Sequence, residues 1–207
     1  MNANFRFAQS MLDNRSYTFD GIPQKDDFHY RSLVGQLNYL TQSTRPEIQY
    51  AVHQCARFSD DPKHSHEVLA AKRIVRYLKS MPDEGIILKP DKTQGLTCYV
   101  DADYAGEWTV DRALDPRACL SRTGYVIFYA NCPIIWSSKL QTTIALSTTE
   151  AEYVALSTSM RDVIYFMNLI EEMKKFGINL PPVPKPNTTC HMFEDNVGTL
   201  ECIGQYP

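Results

Sequence analysis

No pair of cysteines at C-x-x-C spacing occurs in this sequence, and no cysteine/histidine cluster at zinc-ligand spacing. The six cysteines fall singly at 55, 98, 119, 132, 190 and 202, which excludes a structural zinc site of the usual kind. No amino-terminal apolar run follows a basic stretch. No apolar segment approaches the roughly 20 residues that cross a bilayer, so no membrane partner is expected. Together these absences predict an intracellular, reducing environment with all cysteines as free thiols, and they make the Asn-Thr-Thr sequon at Asn187 a chance match. An excess of positive charge is missing too: 21 Lys and Arg face 24 Asp and Glu, for a net charge of -3. A polyanion would have to be met by a local basic face or by bound cations. Internal repeats and low-complexity tracts are also absent.

What is present is an ordinary globular composition, with 43% hydrophobic residues in a chain of 207, enough for one large domain or a domain with an accessory segment. The pattern changes character near residue 90. From about Tyr30 to Ser80 the periodicity is helical: "YRSLVGQLNYLTQ" spaces Leu33, Leu37 and Leu40 by threes and fours. "RPEIQYAVHQCARF" opens with Pro46, suited to a first helical turn. "SHEVLAAKRIVRYLKSM" carries Val68, Leu69, Ala71, Ile74, Val75 and Leu78 on an apolar side and stops before Pro82. That third helix sets Lys72, Arg76 and Lys79 in a line with Arg73 beside it, a row able to track a phosphate backbone or simply to face water. His53, His64 and His66 have no ligand partner at metal spacing and read as surface or capping residues.

Beyond Gly85 the signal is that of strands. "GIILKP" and "GLTCYVDADYAG" have strand composition, and in the second Leu96, Cys98 and Val100 alternate with Tyr99, Asp101 and Asp103. "SRTGYVIFYANCPIIWSSKL" holds two further strands joined by Ala-Asn-Cys-Pro. A long helix over about 148–176 follows, then the extended linker "LPPVPKP" and a short strand in "TTCHMFEDN". Strand-strand-strand-helix-strand is a mixed α/β domain.

Acidic residues collect at the junctions of these elements. Asp101 lies in the first strand, Glu150 and Glu152 at the helix start, and Asp195 just after the fourth strand. Carboxylates brought together repel one another, so such a cluster calls for a divalent cation. Ser147 to Glu150 match the S/T-x-x-E capping box, which predicts that Ser147 accepts from the Glu150 amide and that Glu150 returns to the Ser147 amide. Glu152 shares another face with Ala155, Leu156 and Ser159, small or apolar residues fit to pack on a sheet, and is the candidate ligand. In "TVDRALDPRACL" and just beyond it, Arg112, Arg117 and Arg122 either touch phosphate or are solvated.

The stretches "YVDADYAGEW", "SRTGYVIFYANCPIIWSSKLQTTIALSTTEAEYVAL" and "FEDNVG" resemble the ribonuclease H domain of copia-type retrotransposon Pol polyproteins. The helical first half resembles the thumb and connecting region that follows the reverse transcriptase palm in the same polyproteins. The resemblance implies an amino-terminal tail over 1–27, a helical segment over 28–83 and a ribonuclease H-like domain over 84–207, with a mixed sheet in the order of elements β1-β2-β3-α-β4. It also implies Asp101, Glu152 and Asp195 as catalytic metal ligands, two Mg2+ ions (Mn2+ as the alternative), and an RNA/DNA hybrid as substrate, its RNA strand cut by in-line displacement. Lys72, Arg73, Arg76, Lys79 and Arg122 are then candidates for nucleic-acid contact, and the polymerase palm of the parent polyprotein is a partner. Cytoplasmic retrotransposon particles are the implied location, with the nucleus as the other. The family pattern continues past "TLECIGQYP" with a further strand and carboxylate and begins earlier with the palm. The expectation is therefore no polymerase activity and slow or no hybrid cleavage by this chain. Two readings stay open: a metal-dependent ribonuclease H, and an inactive remnant or domesticated fold that binds nucleic acid or protein.

Overall fold

The computed structural model describes residues 29–62, 68–178, 180 and 188–204. The tail expected over 1–27, His64 and His66, Asn187 and all of the "LPPVPKP" linker but Leu180 lie outside them. The chain divides into two compact units, 1–86 and 87–207.

The first unit is helical. Helix α1 spans Tyr30–Ser43, a single 3-10 turn spans Pro46–Ile48 and runs directly into α2, Gln49–Ala56, and α3 spans Leu69–Ser80. Pro46 opens the 3-10 turn, where its missing N–H costs no hydrogen bond. Tyr30, Val34, Leu37, Ile48, Val52, Cys55, Val68, Ala71 and Ile74 form the core of this unit. The Tyr30 hydroxyl donates to the Cys55 carbonyl at 2.8 Å, so α1 and α2 are pinned as well as packed. The apolar side expected for α3 is corrected in part. Leu69 and Val75 are exposed, because the buried line of the helix runs through Val68, Ala71 and Ile74 at three-residue steps.

The second unit is mixed α/β. Strands β1 (Leu96–Asp103), β2 (Arg122–Tyr129) and β3 (Cys132–Leu140) precede helix α4 (Thr148–Lys175), followed by β4 (Cys190–Phe193) and helix α5 (Val197–Gly204). The sheet order is β3-β2-β1-β4. The β1/β2 and β2/β3 pairs are antiparallel, and β4 lies parallel to β1. Ala130 and Asn131 turn the β2–β3 corner with φ of 49° and 62°, the positive values that a tight hairpin with right-handed strand twist needs. Pro133, which has no N–H to donate, sits where the β2/β3 register slips by a residue. "GIILKP" forms no strand. Ile87 is 85% exposed and Leu88 67%, and no described strand pairs with this run, so its β-rich composition has no ladder to join.

One face of the sheet receives α4. Ala155, Leu156 and Val163 pack on Leu96, Cys98, Val100, Tyr125 and Ile127, and the Tyr125 hydroxyl donates to the Asp162 carboxylate. The helix ends where Gly177, at φ 78°, takes the left-handed turn. There the amides of Gly177 and Ile178 donate back to Lys174 and Met173, closing the last turn as a Schellman motif. Among the described residues no helix is long and apolar enough to cross a membrane, and all six cysteines are free.

Candidate metal centre

The parallel pairing of β1 and β4 brings their carboxyl ends side by side. The register pairs Tyr99 with Phe193, and the two rings stack with centroids 4.7 Å apart. Asp101 lies two residues beyond the last pair on β1, and Asp195 two residues beyond it on the chain that leaves β4. Helix α4 begins at the same end of the sheet, and its start is fixed from three directions. The Ser147 hydroxyl accepts from the Glu150 amide at 3.1 Å. The Glu150 carboxylate accepts from the Leu146 amide at 2.7 Å. This corrects the expected capping box by one residue: the return bond goes to Leu146 and not to Ser147. From below, the buried Gln141 amide donates to the Ala151 carbonyl at 2.8 Å and to the Thr123 hydroxyl at 3.2 Å, tying the first turn to β2. From the side, Asn196 caps α5 by accepting from the Thr199 amide at 2.9 Å, and the buried Thr199 hydroxyl donates to the Thr149 carbonyl at 3.2 Å. Gly198 allows this approach, since a β-carbon there would stand 3.0 Å from the Thr149 hydroxyl.

The outcome is a convergence of Asp101, Glu152 and Asp195. Each offers a carboxylate oxygen, and the three oxygens lie within 4.8 Å of one another. Oxygens that share one Mg2+ at about 2.0–2.1 Å sit about 3 to 4 Å apart, so modest rotamer adjustment would close the set on an ion. Glu152 is 7% exposed, alongside the buried Ala155, Leu156 and Ser159 expected on its face. Its Oε2 is shut off from solvent and has no hydrogen-bond partner among the described residues. A buried carboxylate oxygen without a donor is costly and calls for a proton or a cation. Burial first, then the charges of Glu194, Asp101 and Asp195, push the Glu152 carboxyl up to about 8. Asp101 is raised by burial and then by Asp195 and Asp103. The donor set is all oxygen, which suits a hard divalent cation.

Glu194 is the acid that sequence reasoning missed. It immediately precedes Asp195, and the strand period continues through it. Cys190, Met192 and Glu194 are the more buried alternates, whereas His191, Phe193 and Asp195 are exposed. Glu194 thus turns toward the α4 side, and the period of two was the signal that could have found it.

The basic candidates divide. On α3, Arg73, Arg76 and Lys79 are exposed and Lys72 is half-buried. Arg122 is corrected: it is 4% exposed, and its guanidinium meets the equally buried Glu107 at 3.2 Å. An arginine so enclosed is not at the surface to meet a phosphate. Arg112 also binds Glu107 and, with Arg117, binds Asp115, whose carboxylate caps the short 3-10 turn Pro116–Cys119. Burial drives the Cys98 thiol up to about 12 and Cys190 up to about 11, which leaves both inert as nucleophiles at neutral pH.

The chain is 37% identical over 182 residues, 87% of its length, to the retrovirus-related Pol polyprotein from transposon RE1 of Arabidopsis thaliana. It is 37% identical over 144 residues to that from transposon TNT 1-94 of Nicotiana tabacum. It spans 11% and 10% of those polyproteins. It is also 37% identical over 136 residues to secreted RxLR effector protein 161 of Plasmopara viticola, of which it spans 89%. No protein-family model and no solved structure matches the chain.

Proposed function

This chain belongs to the copia-type retrotransposon family of retrovirus-related Pol polyproteins, and from that premise we propose that its second unit is a ribonuclease H-like domain, a nuclease that hydrolyses the RNA strand of RNA/DNA hybrids. The first unit is then the thumb and connecting segment of the adjoining reverse transcriptase. The observation that carries the reading is the convergence of Asp101, Glu152 and Asp195 within 4.8 Å at the carboxyl ends of two parallel strands. A four-stranded mixed sheet with a long helix on one face, and a glutamate in the second turn of that helix, supports it further.

In this reading the three carboxylates hold divalent cations, Mg2+ or Mn2+. Such ions, when bound, supply the Lewis acidity that activates water and offsets charge at a phosphate. Asp101 on β1 and Asp195 just past the end of β4 form the floor of the site. Glu152 enters from α4, held by Gln141 beneath its turn and by the Ser147 cap before it. The exposed Arg73, Arg76 and Lys79 on α3, with Lys72, offer a basic row to the nucleic-acid backbone, and 2′-hydroxyls mark the strand to be cut.

Incubating the chain with a labelled RNA/DNA hybrid in Mg2+ or Mn2+ tests this. The expected result is slow, cation-dependent cutting of the RNA strand, falling at least 100-fold in Asp101→Asn and Glu152→Gln. Cutting that survives both substitutions, or the absence of any cation-dependent cutting, would overturn it. A second reading is an inactive remnant or domesticated fold that binds nucleic acid without cleaving it. It expects hybrid retention with no cutting in either cation.

A further inference from the structure

We propose that Glu194 is a fourth carboxylate of the cation pocket, sharing a divalent ion with Glu152 from the α4 side of the sheet. The inference rests on the nuclease reading for the presence of an ion and adds a ligand to it. Three observations carry it.

The first is orientation. Both Asp195 and Asn196 donate their backbone amides to Glu194 Oε1, at 3.1 and 3.2 Å, so the plane of this carboxylate is set by the main chain and its other oxygen has a defined direction. The second is that Glu194 Oε2 is buried without a hydrogen-bond partner among the described residues, as is Glu152 Oε2. Two such oxygens, one on Glu152 and one on the residue that adjoins Asp195, are each short of a donor, and a single shared cation would satisfy both. The third is placement: Glu194 directly precedes Asp195 and follows Cys190 and Met192, which pack against the core under α4. The arrangement is thus two-sided. Asp101 and Asp195 follow the outward parity of their strands, whereas Glu194 follows the inward parity toward α4, where Glu152 stands.

A residue kept only to brace the loop would need one acceptor oxygen, and Gln supplies that oxygen as well as Glu does. Glu194→Gln therefore separates bracing from ligation. Mn2+ alone is titrated into the full chain and followed by calorimetry and by the Mn2+ resonance signal. The unsubstituted chain is compared with Glu194→Gln, with Glu194→Asp, which keeps the charge but withdraws it by one methylene, and with Glu201→Gln as an exposed control of equal charge change. Circular dichroism verifies the fold of each. The expected result is at least a tenfold loss of affinity at one Mn2+ site in Glu194→Gln, a smaller loss in Glu194→Asp, and none in Glu201→Gln. Affinities left unchanged in Glu194→Gln would overturn the assignment of Glu194 while leaving the nuclease reading standing. Failure of the unsubstituted chain to bind Mn2+ would overturn both.

Discussion

Two buried charged residues, Glu152 and Arg122, each pose a different physical problem. Glu152 is a carboxylate held among other carboxylates out of water, and its ordinary value of 4.5 rises to about 8 on folding without metal. The folded chain therefore holds a proton there that the unfolded chain releases. Stability is full below about pH 4.5 and is lost as pH climbs to about 8, after which this group adds no further slope. In EDTA, Glu152→Gln is expected to flatten that decline and to melt higher than the unsubstituted chain at pH 8, by scanning calorimetry across pH. Arg122 presents the opposite case, a buried charge already matched by Glu107. Removing one partner strands the other, so Arg122→Ala is expected to cost about 3 to 5 kcal/mol in urea unfolding. From the sequence, Arg122 looked like a surface cation because its partner lies 15 residues away and burial at that distance leaves no local trace. Asp101, Glu152 and Asp195 were legible because each sits at the junction of an element whose type the periodicity reveals. Glu194 was not read, although the alternation through Cys190 and Met192 extends to it, because the buried oxygen without a donor that singles it out exists only in the folded chain.

At the scale of elements, α4 is the piece most fully written in local sequence. The Ser-Thr-Thr-Glu start and the Gly177 stop bracket it, and the observed Thr148–Lys175 differs by a residue from the span that the pattern predicts. Ser147→Ala removes the acceptor for the Glu150 amide and is expected to lower stability by about 1 kcal/mol, read from urea midpoints. The larger consequence falls on Glu152, whose helical turn loses one of its three fixings. Elements that depend on partners were less legible. "GIILKP" has the composition of a strand without an edge to pair with, and Leu69 and Val75 lie at the margins of a helical stripe whose buried width only packing decides. The Glu150 return bond reaches Leu146, a shift of one amide that no spacing rule distinguishes from the expected target.

On the scale of the whole molecule, the described residues form two cores, one helical and one beneath the sheet, and the three-carboxylate cluster lies within the second unit. A bound ion stabilises the state that binds it, by about 2.7 kcal/mol at a concentration 100 times its dissociation constant. Hydrogen exchange is therefore expected to slow in Mg2+ over β1, the first turns of α4 and the β4–α5 junction, with no change over α1 to α3. Under the proposed reading, a net charge of -3 leaves hybrid binding to the basic row of α3, and each of Arg73, Arg76 and Lys79 changed to Ala is expected to reduce the salt slope of that binding by about 1. The proposed nuclease rests on the meeting of three carboxylates. Anomalous diffraction from crystals of the chain grown in Mn2+ tests that meeting most directly. The account predicts a manganese peak in direct coordination with Asp101, Glu152 and Asp195, and a pocket without manganese, or a peak that any of the three fails to touch, would contradict it.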